Sequence, residues 1–164
     1  MDAFLQTIAG AHIYDLEQPR YAGAPVFPAH APGFIYTLHR RHEPGSGEAR
    51  TSASGTIYAA EHSGTHIDAL CHQAENLHLT GEREVTARVQ TATGFTELGV
   101  ETIAPMICRG VLLDVAAYRG IGYLKDDQPV TRNDLLATSQ HQQTSIHAGD
   151  VVLIRTGNGA YWQD

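Results

Sequence analysis

The side chains best suited to chemistry are concentrated in one short segment of the chain, residues 62–72. Four polar residues there stand at even positions: His62, His66, Asp68 and His72. Because side chains two residues apart in an extended chain point the same way, His62, His66 and Asp68 can face one point. On a helix, Asp68 would lie about 200° around the axis from His66, at roughly 100° per residue. An extended or turn-containing segment therefore gathers the three side chains better than a helix does.

Two imidazoles and one carboxylate are a donor set for a divalent metal ion. They suit Zn²⁺, Mn²⁺ or Fe²⁺ and leave coordination positions open for water. Such a site can lower the pKa of bound water to about 7 and so provide a nucleophile at neutral pH. His72 is interpreted either as a fourth ligand or as a general acid/base beside the metal. The alternative is a polar loop without a metal, but three histidines and one aspartate within eleven residues argue against it.

The two cysteines suggest a different chemistry. Cys71 lies inside the same segment but at an odd position, so we expect its side chain to point away from the metal ligands. A catalytic thiolate at Cys71 would need a nearby base and partial exposure to solvent. Cys108, beside the apolar Ile107, is expected to be buried. A cysteine-dependent amidase is therefore an alternative hypothesis, and a metal chelator would discriminate it from a metal enzyme.

Other polar residues have weaker claims to a site. His39 and His42 flank two arginines and form a small basic spot, for which a solvated surface is favoured over a site for a substrate carboxylate. Asp114 ends an apolar run and is as well explained by a strand-end cap as by a place in the site. His78 could line the pocket, but a surface loop is favoured, and the remaining histidines are interpreted as structural: His12, His30, His141 and His147. Aromatic residues such as Phe34 and Tyr36 could wall a substrate pocket, but such residues at strand positions are more often core.

Composition excludes several classes of function. The 164 residues are 42% hydrophobic and 18% charged, which is typical of one globular domain with a core. A net charge of -7 argues against binding to nucleic acid or to anionic lipid. No apolar run approaches the roughly 18 to 20 residues of a membrane helix. Residues 1–6 lack the features of a signal peptide, and with only two cysteines we expect a cytoplasmic protein with reduced thiols.

The first half of the chain predicts strands that lead into the histidine segment. Ile13–Leu16 and Phe34–Leu38 are short apolar runs separated by a Pro/Gly-rich piece, which predicts strand, turn, strand. Residues 43–50 form a polar loop, and Thr51–Ala60 is a strand that runs into the segment. Residues 73–100 are ambiguous, because good helix formers there are interrupted by a glycine.

The second half predicts a strand, a helix and a strand. Gly110–Val115 is a continuous apolar run that suggests a buried strand. Thr131 is the expected N-cap of a helix over about 132–143. Val151–Arg155 is the next strand, and this order predicts a mixed α/β domain that takes in residues 1–164.

The histidine segment resembles a known signature. His62 to His72 is similar to the His-x-Gly-Thr-His-x-Asp-x-Pro-x-His pattern of the cyclase family, which includes bacterial kynurenine formamidases and isatin hydrolases. The resemblance covers roughly residues 12–157 and extends to the segments 109–115 and 149–157. Leu70 stands where the family usually has proline, which leaves the sub-family and substrate open.

The resemblance implies a swivelling β/β/α fold and hydrolysis of a small amide, formamide or lactam, with one or two divalent ions, usually zinc or manganese. It implies that His62, His66 and Asp68 are metal ligands and that His72 transfers protons. It also implies a homo-oligomer. Family members are longer, and their C-terminal third supplies a further histidine and an acidic residue. By this resemblance the chain is an incomplete domain, so a metal- or small-molecule-binding domain without catalysis is the alternative function.

Overall fold

The computed structural model describes residue 6 and residues 8–162, which form two compact units, Met1–His66 and Ile67–Asp164. Five of the six residues considered for a signal peptide lie outside the described residues. That the whole chain makes one domain stays a prediction. The two units are described in turn.

The first unit contains an antiparallel hairpin. Strand β1 (Phe34–Arg40) pairs with β2 (Ser54–Ala59), with Tyr36 opposite Ile57. Both strands and the polar loop between them agree with the sequence predictions. The predicted strand over Ile13–Leu16 is wrong, because this run has no partner strand and Ile13 is 85% exposed.

The faces of this hairpin are open to solvent. Tyr36 is 51% exposed and Ile57 is 65% exposed, so the expectation that Tyr36 is a core residue is wrong. The Tyr36 ring lies over Gly55 and leaves no room for a side chain there. A two-stranded hairpin is marginally stable by itself, so cross-strand contacts of this kind are the main local support of β1 and β2.

The N-terminal part of the second unit is built from short hairpins. Strands β3 (His78–Leu79) and β4 (Arg83–Glu84) form one pair, and β5 (Gln90–Thr91) and β6 (Gly94–Phe95) form the next. No α-helix forms in this ambiguous region, and a short 3-10 helix begins only at its end, at Val100. Asn76, Leu77, Gly81 and Glu82 have φ values of 50°, 60°, 76° and 57°, which close tight turns and cannot belong to a right-handed helix.

The C-terminal part contains the strand, helix and strand that the sequence predicts. Strand β7 (Gly110–Asp114) lies parallel to β8 (Val151–Arg155), and between them lie α1 (Val115–Tyr118) and α2 (Arg132–His141). The predicted N-cap of α2 is confirmed, since Thr131 forms a full capping box. The buried side chains of this region lie between residues 111 and 138: Val111, Leu113, Val115, Ala116, Leu124 and Thr138.

Helix α2 ends two residues before the predicted end at 143. The Gln142 side chain donates to the main-chain oxygen of Leu112 at 2.7 Å and accepts from the nitrogen of Asp114 at 2.8 Å. Hydrogen bonds to β7 thus replace a further helical turn. The described residues form three antiparallel strand pairs and one parallel pair with few helices, a mixed α/β architecture as predicted. None of the helices in this described part is long and apolar enough to cross a membrane.

Candidate metal centre

The histidine segment begins with a turn that follows β2. Ser63 is 4% exposed, pairs with Val26 in an isolated bridge and donates its hydroxyl to the main-chain oxygen of Ala60 at 2.7 Å. Gly64 has a φ of 69°, in the left-handed region that favours glycine. The segment is therefore turn-containing, one of the two conformations that the sequence indicated.

The turn brings His62 and His66 together. Nδ1 of His62 lies 3.0 Å from Nε2 of His66, and the two ring centroids are 4.8 Å apart. Residues four apart in a strand would be separated by about 13 Å at roughly 3.3 Å per residue. The bend at Gly64, and not the alternation of an extended chain, accounts for this pair.

The pair fits a metal ion. Two nitrogens bound to one tetrahedral zinc at about 2.0 to 2.1 Å lie about 3.3 Å apart, close to the 3.0 Å between His62 and His66. Nδ1 of His66 also lies 2.8 Å from the main-chain oxygen of Gly64. Metal-binding histidines usually donate their second ring nitrogen to such an acceptor, which fixes the ring and leaves the other nitrogen for the ion.

The rest of the segment belongs to the second unit. Asp68 and His72 are both exposed, whereas His62 is half-buried. By residue type, His62, Asp68 and His72 are metal-binding side chains within eleven residues of one another in the sequence, and His66 adds a third imidazole to the segment. The structure brings His62 and His66 together within the first unit, and the division of roles between ligand and acid/base stays a prediction.

Two residues near the turn were not assigned to a site from the sequence. The His30 ring, interpreted as structural, lies 4.5 Å from the His62 ring, centroid to centroid. Arg20 donates to the main-chain oxygens of Ser63 and Thr65. The sequence carries no signal for either contact, because both residues lie more than thirty positions before the turn.

The two cysteines lie in different surroundings, and the structure buries the one within the histidine segment. Cys71 is 8% exposed and packs with Leu79 and Val89, and its main-chain nitrogen donates to Leu98 at 3.2 Å. A nucleophilic thiolate needs access to substrate, so this burial gives the cysteine-dependent amidase no support. Cys108 is exposed, and the expectation that it is buried is wrong, because it lies in an exposed segment before β7.

Asp114 is a helix cap, the structural interpretation that the sequence left open. Its carboxylate accepts from the main-chain nitrogen of Ala117 at 2.9 Å and from Arg155 at 2.7 Å. Burial acts to raise the pKa of Asp114, but these two hydrogen bonds outweigh it and the pKa is lowered. The carboxylate therefore binds residues of α1 and β8.

The basic spot around His39 does not resemble an anion site. His39 lies beside a cavity of about 260 Å³ that is also lined by Arg40, Arg41, Glu43 and Glu48. His39 lies 3.1 Å from the Ser54 hydroxyl. The two glutamates offset the charges of the two arginines in this wall, so no excess of positive charge favours a substrate carboxylate and the surface interpretation is retained.

Comparison with known proteins gives two similarities. A family model described as "Putative cyclase" matches residues 14–164. A crystal structure described as that of a novel cyclase aligns with a TM-score of 0.81 and 27% sequence identity, covering 100% of this chain and 56% of that one. The chain thus spans just over half the length of that protein. A search of curated proteins found no match.

Proposed function

The chain belongs to the cyclase family, and from this premise we propose that it is a metal-dependent hydrolase that opens a small amide, formamide or lactam C–N bond. The observation that carries the proposal is the His62–His66 pair, whose nitrogens are 3.0 Å apart. A separation of 3.0 Å suits a hydrogen bond between the rings and is also close to the nitrogen spacing around one tetrahedral ion, so an ion can replace the hydrogen bond with little movement of either ring. The orientation of His66 by a main-chain oxygen also supports a ligand role.

We assign the ligand set to His62, His66 and Asp68, with zinc or manganese as the ion. Asp68 follows His66 by two residues, so a carboxylate is available within the same continuous segment. When bound, a divalent ion would polarise the substrate carbonyl and lower the pKa of water. The swivelling β/β/α fold belongs to the same proposal.

His72 has the separate role of moving a proton. Its imidazole is exposed and lies four residues after Asp68, so it can approach a substrate without being a ligand itself. Imidazole side chains exchange protons near neutral pH, which suits donation to the departing nitrogen of an amide.

The test measures turnover of a formanilide-type substrate before and after removal of metal by a chelator. We expect activity to be lost with the metal and restored by zinc or manganese. The variant Cys71→Ala serves as the matched control, because it removes the thiol of the same segment and should leave activity in place. Activity that survives the chelator but not Cys71→Ala would contradict the proposal.

We further propose a homo-oligomer of cytoplasmic origin. The support is the exposed apolar hairpin, in which Ile57 and Tyr58 are 65% and 62% exposed, together with two free cysteines. Light scattering at micromolar concentration should show a species larger than a monomer, and a monomer would contradict the proposed assembly.

A further inference from the structure

Arg20 contacts the turn of the histidine segment on both sides of Gly64. Its Nε donates to the main-chain oxygen of Ser63 at 2.9 Å, and one of its terminal nitrogens donates to the main-chain oxygen of Thr65. Its Cγ lies 2.9 Å from the position that a Cβ at residue 64 would take. The side chain therefore fills the space over Gly64 while the guanidinium joins the two flanking carbonyls.

Neighbouring residues hold Arg20 in this position. The Glu17 carboxylate accepts from a second terminal nitrogen of Arg20 at 3.2 Å. The main-chain nitrogen of Gln18 donates to the hydroxyl of Thr65 at 2.7 Å. Residues 17–20 thus contribute three hydrogen-bonding groups. Arg20 and the main chain of Gln18 bind the turn, and Glu17 binds Arg20.

The chemistry of arginine suits this role better than a role in attracting the ion. A guanidinium is a rigid planar fork that can serve two acceptors at fixed positions, whereas a lysine ammonium is a single point charge. A positive charge beside a cation site opposes binding of the cation. The contribution of Arg20 must therefore come from its hydrogen bonds to the carbonyls.

We propose that Arg20 is the positioning residue of the His62–His66 pair. By holding the oxygens of Ser63 and Thr65, it fixes the turn that places the two ligand nitrogens 3.0 Å apart. The inference rests on the proposed metal-binding function, although the geometry of the pair can be tested without a metal.

The experiment compares Arg20→Gln and Arg20→Lys with the control Arg83→Gln. Arg83 is also an exposed arginine in an ion pair, 2.8 Å from Glu97, but it lies on a hairpin of the second unit. Titration with Co²⁺, followed by its visible absorption, should show binding weakened about 10- to 100-fold in both Arg20 variants. Nuclear Overhauser contacts between the His62 and His66 rings in the metal-free protein should be lost, while the contacts of β1 with β2 remain.

Each outcome decides the inference. Unchanged cobalt affinity together with unchanged ring contacts in Arg20→Lys would overturn it, as would an equal loss in Arg83→Gln. If Arg20→Gln fails to fold, Arg20→Lys alone decides. If the wild-type protein binds no cobalt, the proposed function fails, and the ring contacts of the metal-free protein still decide the role of Arg20.

Discussion

The strand-helix-strand region from β7 to β8 and the turn that carries the histidines are stabilised by different kinds of interaction. In the strand-helix-strand region, Leu113 and Val115 are fully buried, and the N-terminus of α2 is stabilised by a capping box. In the turn, His66 is exposed. The backbone there depends on the left-handed conformation of Gly64 and on the hydrogen bonds that Arg20 donates to its carbonyl oxygens. The contrast implies that global stability and the proposed metal binding can be changed separately, and the following variants test that separation.

The largest effect is expected for His72→Ala. Loss of a positioned acid/base typically lowers the rate about 10² to 10⁴-fold. Because His72 is exposed, the free energy of unfolding should change little, and metal content should stay at the wild-type value. Paired measurements of kcat and metal content check this. A variant that also loses its metal would make His72 a ligand and remove the proposed division of roles.

Leu113→Ala should give the reverse result. Leu113 is 0% exposed, and a leucine-to-alanine change at such a site costs about 2 to 5 kcal/mol of stability. Urea denaturation should show this loss, whereas the cobalt affinity of the remaining folded protein should equal that of the wild type. A weaker affinity in the folded fraction would show that the two regions are coupled.

Gly64→Ala and Gly120→Ala compare the turn with the strand-helix-strand region, because alanine strains the backbone equally at the two positions. Their φ values are 69° and 70°, so alanine costs about 1 to 2 kcal/mol at either position. A Cβ at 64 would also press on Arg20, but a Cβ at 120 meets nothing within 4 Å. We expect weaker cobalt binding only in Gly64→Ala. Equal binding in both variants would mean that the turn tolerates displacement of Arg20.

The smallest effect concerns pH. Hydrogen bonds from the Thr131 side chain and main chain, and then from Arg119, lower the pKa of Asp134 from 3.8 to about 2. A lowered pKa in the folded state gives stability that is present above about pH 4 and is lost as the pH falls towards 2. Asp134→Asn should flatten this part of the stability profile measured by urea denaturation. Asp150, whose pKa is lowered chiefly by Arg109, supplies a remaining slope in the same range.

The parts predicted correctly from sequence are those determined by local pattern. The apolar runs of β7 and β8 and the capping box at Thr131 depend on neighbouring residues alone. The histidine segment is likewise recognisable, because its donors lie within eleven residues. These features need no knowledge of distant contacts.

The parts that sequence reasoning missed depend on contacts between distant residues. Arg20 meets Ser63 and Thr65 across 43 and 45 residues, and no local pattern marks that contact. The run Ile13–Leu16 has strand-forming residues but no partner strand. Residues 73–100 were ambiguous from sequence, and the φ of 60° at Leu77, which leucine rarely takes, is a turn conformation that the residue type does not signal.

The most direct test of the account is the metal content of the wild-type protein beside that of His66→Ala. The control is His141→Ala, which removes a histidine of α2 whose ring lies 5.5 Å from Tyr118 in the second unit. After equilibration with zinc and removal of free ions, elemental analysis should find about one ion per chain in the wild type and the control. His66→Ala should retain almost none, because it loses the central ligand of the proposed three. A wild-type protein without metal, or a His66→Ala variant that keeps as much as the control, would contradict the claim that this segment is a metal centre.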